Sequence, residues 1–162
     1  MSAGKILILV AALGFVAFYL YNTISAGQKA EYNRQIGTEF LTKNKQQDGV
    51  VETDSGLQYL ILEERKDSSI HPKPVDTVKV HYHGTLIDGT VFDSSVDRGT
   101  PISFPLNRVI SGWTEGLQLM TVGDKFRLFI PADLAYGNKA AGKIGPGSTL
   151  IFDVELLGIN ES

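Results

Sequence analysis

The stretch VDTVKVHYHGTLIDGTVFD, residues 75–93, decides the fold. Val78, Val80 and Tyr82 alternate with Lys79, His81 and His83, so an apolar face opposes a polar one. That period of two is the signature of a half-buried strand. Asp88-Gly89 then supplies a tight hairpin turn of the kind that needs positive φ, and Val91-Phe92-Asp93 begins the return strand. An antiparallel sheet follows.

Outward from this hairpin the same signals repeat. Residues 57–62 (LQYLIL), 125–130 (KFRLFI) and 150–157 (LIFDVELL) read as strands, and residues 64–74, including a turn at Asp67-Ser68-Ser69, read as a surface loop. The period changes near Ser111-Gly112, where Trp113, Leu117 and Met120 stand at i, i+4 and i+7, one face of a helix of about two turns. All six prolines and 13 of the 17 glycines lie from Gly49 onward, as short strands and tight turns require. The class is α+β, an antiparallel sheet with one short helix packed across a face.

The N-terminus is built differently. Residues 6–21 (ILILVAALGFVAFYLY) are an apolar run of 16 preceded by Lys5, with no acidic residue before Glu31. A membrane-spanning helix wants roughly 20 apolar residues, and Asn22 to Ala26 extend the run at the interface. The aromatic end (Phe15, Phe18, Tyr19, Tyr21) resembles an interfacial belt, so an uncleaved anchor is expected, with a cleaved signal peptide as the alternative. In both cases Lys5 stays inside and the remainder is exported. Residues 25–48 read as a polar helix with Tyr32, Ile36 and Phe40 on one stripe and Gly49 as its cap. That stripe lies on the following domain, forms a weak seam between two copies, or is only a small staple on a solvated stalk.

Composition narrows the chemistry. The 162 residues carry a net charge of −3 and no cysteine, which removes disulfides, zinc ribbons, thiol mechanisms and a basic footprint for nucleic acid. Residues 137–143 (GNKAAGK) match the glycine and lysine skeleton of a phosphate-binding loop. Ile144 stands where Ser or Thr must hold magnesium, however, and Pro146-Gly147 follow where a helix should start. His81 and His83 share a strand face without a third ligand, so they read as exposed strand histidines rather than a metal site.

What remains is a set of aromatics with little ionisable chemistry. Val80-His81-Tyr82, Gly84-x-Leu86-x-Asp88-Gly89, Val91-Phe92-Asp93-Ser94-Ser95, Val109-Ile110-x-Gly112-Trp113-x-Glu115-Gly116, Leu134-Ala135-Tyr136-Gly137 and residues 150–156 occur in order. Together they resemble the FKBP-type peptidyl-prolyl cis–trans isomerases over residues 56–158. Gly56-Leu57-Gln58-Tyr59 and Phe104-Pro105-Leu106-Asn107 resemble the bacterial branch named after the macrophage infectivity potentiator.

The resemblance implies a five- to six-stranded antiparallel sheet wrapped around one short helix. With the reading of the N-terminus above, the chain divides into an anchor or signal segment at 1–24, a helical stalk at 25–49 and an isomerase domain at 50–162. It implies an aromatic bowl for the substrate proline, with Tyr82, Phe92, Asp93, Trp113 and Tyr136 in the catalytic set. Trp113 would be the floor, Asp93 would face the twisting carbonyl and Tyr136 would donate its hydroxyl to the substrate. Arg98, Ile102, Val109, Ile110, Ile144 and Phe152 complete the substrate-binding walls. Asp93 and Arg98 would lie buried beside the aromatics. No cofactor and no metal is implied. The expected partners are proline-containing polypeptides, macrolides such as rapamycin and, through the N-terminal helix, a membrane; the chain is expected to be a monomer or weak homodimer. The expected location is the bacterial inner membrane, single-pass, with the isomerase facing the periplasm. Three features depart from many relatives: Ile102 replaces a pocket phenylalanine, the loop at 137–145 is one residue shorter, and Gly145-Pro146 replaces Pro-Pro. A non-catalytic chaperone or docking module using the same bowl is the alternative function.

Overall fold

The structure, a computed structural model, describes residues 3–65 and 69–161, with side chains from residue 12 onward. The first element, α1, is one continuous helix over Ala3–Asn44, where the sequence suggested an anchor followed by a separate stalk. No proline interrupts it, so nothing ends the helix between the apolar and polar halves. Its end also falls before the expected cap. The chain turns through Lys45 N–H to Leu41 O (3.1 Å) and Gln46 N–H to Lys43 O (3.2 Å), and Gly49 takes φ +81° in the following turn. Among the described residues, no helix is long and apolar enough to cross a membrane. Of the apolar run at 6–21, residues 6–11 lie outside the residues whose side chains are described.

The C-terminal part of α1 rests on the domain rather than standing free. Ala30 and Gly37 are buried, and the Phe40 ring lies 6.0 Å from that of Phe129. The expected stripe therefore divides. Ile36 and Phe40 turn inward, whereas Tyr32 is 62% exposed.

Among the described residues, seven strands form one antiparallel sheet: β1 Val50–Glu52, β2 Gln58–Glu63, β3 Thr77–Leu86, β4 Val91–Ser94, β5 Ile102–Pro105, β6 Lys125–Ile130 and β7 Leu150–Ile159. The order is β1-β2-β6-β7-β3-β4, with β5 also paired to β3. The count exceeds the expected five to six for two reasons. β1, three residues long, pairs at the sheet edge, and β3 is long enough to take β4 along residues 83–85 and β5 along 77–80. In β3 the buried positions are Val78, Val80, Tyr82 and Gly84, as the alternation required. Of the surface loop at 64–74, Lys66, Asp67 and Ser68 lie outside the described residues, and so does the turn expected there.

Two short helices complete the domain, α2 Ser95–Arg98 and α3 Ser111–Leu117. α3 lies close on β6 because Gly112 and Gly116 face the sheet; a Cβ at Gly116 would lie 2.8 Å from Leu128 Cδ1. That approach presses Trp113 and Leu117 into a core with Leu57, Leu128, Ile130 and Leu156. Each such apolar side chain removed from water contributes roughly 1.5–3 kcal/mol.

Candidate active site

The polar part of the site is assembled by α2. Ser94 caps this helix by accepting the Asp97 N–H at 3.1 Å, and Gly99 closes it in the left-handed region at φ 70°. This single turn folds Arg98 back over Asp93 at the end of β4. Tyr82 donates its hydroxyl to Asp93 Oδ2 at 2.5 Å, Arg98 Nη1 donates to Asp93 Oδ1, and Arg98 Nη2 donates to the Tyr82 oxygen at 3.0 Å. The guanidinium also lies 5.8 Å from the Tyr82 ring centroid.

Partial burial pushes the Asp93 carboxyl up, but the Tyr82 and Arg98 hydrogen bonds outweigh it and hold the group below the ordinary carboxylate range. Burial, aided by the Asp93 carboxylate, pushes the Tyr82 hydroxyl above its usual value. At neutral pH the site therefore holds a carboxylate and a neutral phenol. Asp93 and Arg98 are not buried as expected. Their side chains are 44% and 46% exposed at the rim, Asp93 near the end of β4 and Arg98 in the turn of α2 that follows.

The histidines also differ from expectation. His81 Nδ1 meets Ser95 Oγ at 3.0 Å and His83 Nδ1 meets Ser94 Oγ at 2.9 Å, so both are partly covered and support the start of α2.

The apolar part is a bowl of rings. Trp113 is 4% exposed, with Tyr82 (5.2 Å), Phe104 (5.8 Å) and Phe152 (5.2 Å) edge-on to it. Such edge-to-face contacts hold ring positions more firmly than burial alone. The Trp113 Nε1 is buried and finds no hydrogen-bond acceptor among the described residues. Phe92 stands edge-on to Phe152 at 5.3 Å over Gly84, where a Cβ would lie 2.7 Å from Phe92 Cζ. Gly84 is therefore required by the rings above it.

Above Trp113 opens a cavity of about 780 Å³. It is lined by each of Tyr82, Phe92, Asp93, Arg98, Ile102, Val109, Ile110, Trp113, Tyr136, Ile144 and Phe152. Tyr136 is 42% exposed at the mouth, and no hydrogen bond among the described residues holds its hydroxyl. The sequence reading missed Phe104, Arg108, Ala141, Gly142 and Lys143, which line the same space. Phe104 carried a signal: it sits in register with Val78 across β5 and β3 and supplies an aromatic wall two residues from Ile102. The arrangement offers a ring-walled space with one oriented carboxylate at its edge and, among the described residues that line it, no nucleophile–base pair.

Comparison with known proteins agrees with this geometry. A family profile described as "FKBP-type peptidyl-prolyl cis-trans isomerase" matches residues 68–157, and one described as "Domain amino terminal to FKBP-type peptidyl-prolyl isomerase" matches residues 19–61. The chain is 54% identical over 136 residues to the FKBP-type isomerase FkpA of Aeromonas hydrophila, covering 84% of this chain and 50% of that protein. It is 52% identical over 124 residues to the FKBP-type 22 kDa isomerase of Escherichia coli K12 (76% and 59%), and 48% identical over 136 to the outer membrane protein MIP of Legionella longbeachae (83% and 58%). It thus spans about half to three-fifths of the length of these curated relatives. The crystal structure of FkpA from Escherichia coli superposes with a TM-score of 0.89 at 41% identity, covering 98% of this chain and 73% of that one. By profile, relatives and fold alike, the chain belongs to the FKBP-type peptidyl-prolyl cis–trans isomerase family.

Proposed function

We propose that this chain accelerates cis–trans isomerisation of X–Pro bonds by holding the twisted amide over Trp113. The observation that carries the reading is the joint one: a ring-walled cavity with a buried indole floor and a single Asp93 carboxylate held by Tyr82 and Arg98 at its rim. Rotation about X–Pro meets a barrier of about 18–20 kcal/mol, because twisting breaks amide resonance. Resonance places partial negative charge on the carbonyl oxygen, and water stabilises that planar form. A ring-walled cavity withdraws the water, and a carboxylate near the carbonyl opposes the negative charge on its oxygen, which is larger in the planar form than in the twisted one. Both effects favour the transition state over the ground state, which is the requirement for catalysis. In this reading Phe92, Ile102, Val109, Ile110, Ile144 and Phe152 grip the pyrrolidine and the residue before it, and Tyr136 donates its hydroxyl to a substrate carbonyl.

The test is the isomerisation rate of short peptides differing only in the residue before proline. Leu-Pro should be accelerated more than Ala-Pro, because the rim residues Ile102, Val109 and Ile144 are aliphatic. No acceleration of either peptide at micromolar protein would leave the non-catalytic docking module in its place.

We also propose that the N-terminal half of α1 attaches the chain to a bacterial inner membrane, with the isomerase domain facing the periplasm and exported polypeptides as its substrates. Supporting this, Leu13, Phe15, Val16, Phe18, Tyr19, Leu20, Tyr21 and Ile24 are exposed all round the helix, an arrangement that water does not reward. A protein that pellets after alkaline carbonate extraction and retains Lys5 supports the attachment. A soluble product beginning near Gly27 replaces it with a cleaved signal and a freely diffusing enzyme.

A further inference from the structure

The C-terminal half of α1 grips one wall of the cavity. The loop from Gly137 to Gly147 carries Ala141, Gly142, Lys143 and Ile144 into the cavity lining, and Tyr136 precedes it directly. Within the loop, the backbone is held by the paired Ala141 and Ile144 hydrogen bonds (both 2.9 Å), a Lys139-to-Tyr136 turn bond and, across its base, the Gly147 N–H to Gly137 O bond (2.8 Å). Gly137, Gly142 and Gly147 take the positive φ that these turns require, and few side chains of the loop pack against the domain to fix its place.

What holds it from outside is α1. Arg34 Nε donates to Asn138 Oδ1 at 2.7 Å while Arg34 Nη2 donates to Asp133 Oδ1 at 2.7 Å, spanning the segment on either side of Tyr136. Asn33 Nδ2 donates to the Pro146 carbonyl at 2.8 Å. Ala30 packs so closely under Gly147 that a Cβ there would strike the Ala30 carbonyl. Ala30, Asn33 and Arg34, about one turn apart on one helix face, thus fix both ends of the loop.

We propose that α1 shapes the cavity, with Arg34 and Asn33 as positioning residues that set Tyr136 and Ile144 for the substrate. This rests on the isomerase reading above. α1 is then part of the catalytic unit and more than a tether. The Arg34 guanidinium holds Asp133 below the ordinary carboxylate range, consistent with a formed pair.

The test uses the full chain with Arg34→Ala and Asn33→Ala. Asp133→Asn and Asn138→Ala attack the same clamp from exposed loop positions where folding is not at stake, and Gln35→Ala on the outer helix face is the control. Loss of one such hydrogen bond corresponds to about a fivefold change. The expected result is therefore a roughly fivefold fall in kcat/KM on Leu-Pro peptides, carried mainly by KM and smaller on Ala-Pro. Faster amide exchange confined to residues 137–147 should accompany it, while Gln35→Ala matches wild type. The proposal is overturned if the loop exchanges at the wild-type rate in all four variants. It is equally overturned if loop exchange rises while kcat/KM stays within twofold of wild type, or if every peptide is affected equally in step with a lowered unfolding midpoint. An inactive wild-type chain is a separate outcome, and overturns the isomerase reading instead.

Discussion

Replacing Tyr82 by phenylalanine isolates the polar half of the site. The ring stays, still edge-on to Trp113 at 5.2 Å, and only the hydroxyl leaves. Two hydrogen bonds go with it: the 2.5 Å donation to Asp93 and the 3.0 Å bond accepted from Arg98. A hydrogen bond to a charged group is worth about 1.5–3 kcal/mol when well buried. The Asp93 side chain is 44% exposed, so solvent screening brings the expected loss of stability to about 1 kcal/mol. The pH dependence carries a sharper signature. In the wild type Asp93 is held below its ordinary value, so its contribution is complete above the unfolded carboxylate pKa of about 3.9 and is lost as pH falls through the lower folded value. Without the Tyr82 hydroxyl the folded value moves up. The acid loss of stability still begins near the unfolded value but becomes smaller and is complete at higher pH. Urea unfolding at pH 7 and pH 3 measures the first, and an NMR titration of the Asp93 side-chain carboxyl carbon measures the second. Since Asp93 is less firmly aimed, kcat/KM should fall about fivefold, the equivalent of 1 kcal/mol. A variant with wild-type stability, wild-type Asp93 titration and wild-type kcat/KM would refute the triad as the organiser of the site.

Three further outcomes follow from the same contacts. Trp113→Ala should cost about 3–5 kcal/mol of stability by chemical denaturation, because the side chain is 4% exposed, whereas Asp93→Ala should lower activity with little loss of fold. Equal unfolding midpoints for the two would show that Trp113 is not packed as described. Gln58→Leu should destabilise by about 1–3 kcal/mol, since this fully buried amide donates to Leu41 O (2.9 Å) and Glu52 (2.8 Å), accepts from Asn44 (2.8 Å), and so joins α1, β1 and β2. Rapamycin should change the emission of Trp113 and inhibit in parallel; undisturbed emission with full activity at saturation would show that Ile102 and Gly145 have reshaped the bowl.

The sheet and the bowl were legible because both leave their period in the sequence. Val78, Val80 and Tyr82 state their face, and Trp113 and Leu117 state theirs. The docking of α1 was not legible, for a physical reason. Its contacts run through Ala30 and Gly37, whose small size permits backbone approach and leaves no apolar periodicity, and through polar Asn33, Arg34 and Asn44. The Tyr32, Ile36, Phe40 stripe pointed to a face that the structure divides, since a 100° step per residue rotates Tyr32 out to solvent. The burial of Gln58 leaves no mark in the sequence, because only tertiary partners make a buried amide tolerable. β1 and β5 lack the length to show alternation, and Phe104 was noted as a branch feature although its ring walls the cavity.

The most direct test follows the prolyl bond and the cavity floor in one sample. NMR exchange spectroscopy gives the cis–trans rate of a Leu-Pro peptide with catalytic amounts of the chain, and the Trp113 indole N–H reports occupancy of the cavity. The account predicts an exchange rate that rises in proportion to protein, a shifted indole resonance, and loss of both on adding a macrolide. Exchange at the buffer rate while the peptide visibly shifts the indole would contradict it, leaving a cavity that binds proline segments without turning them.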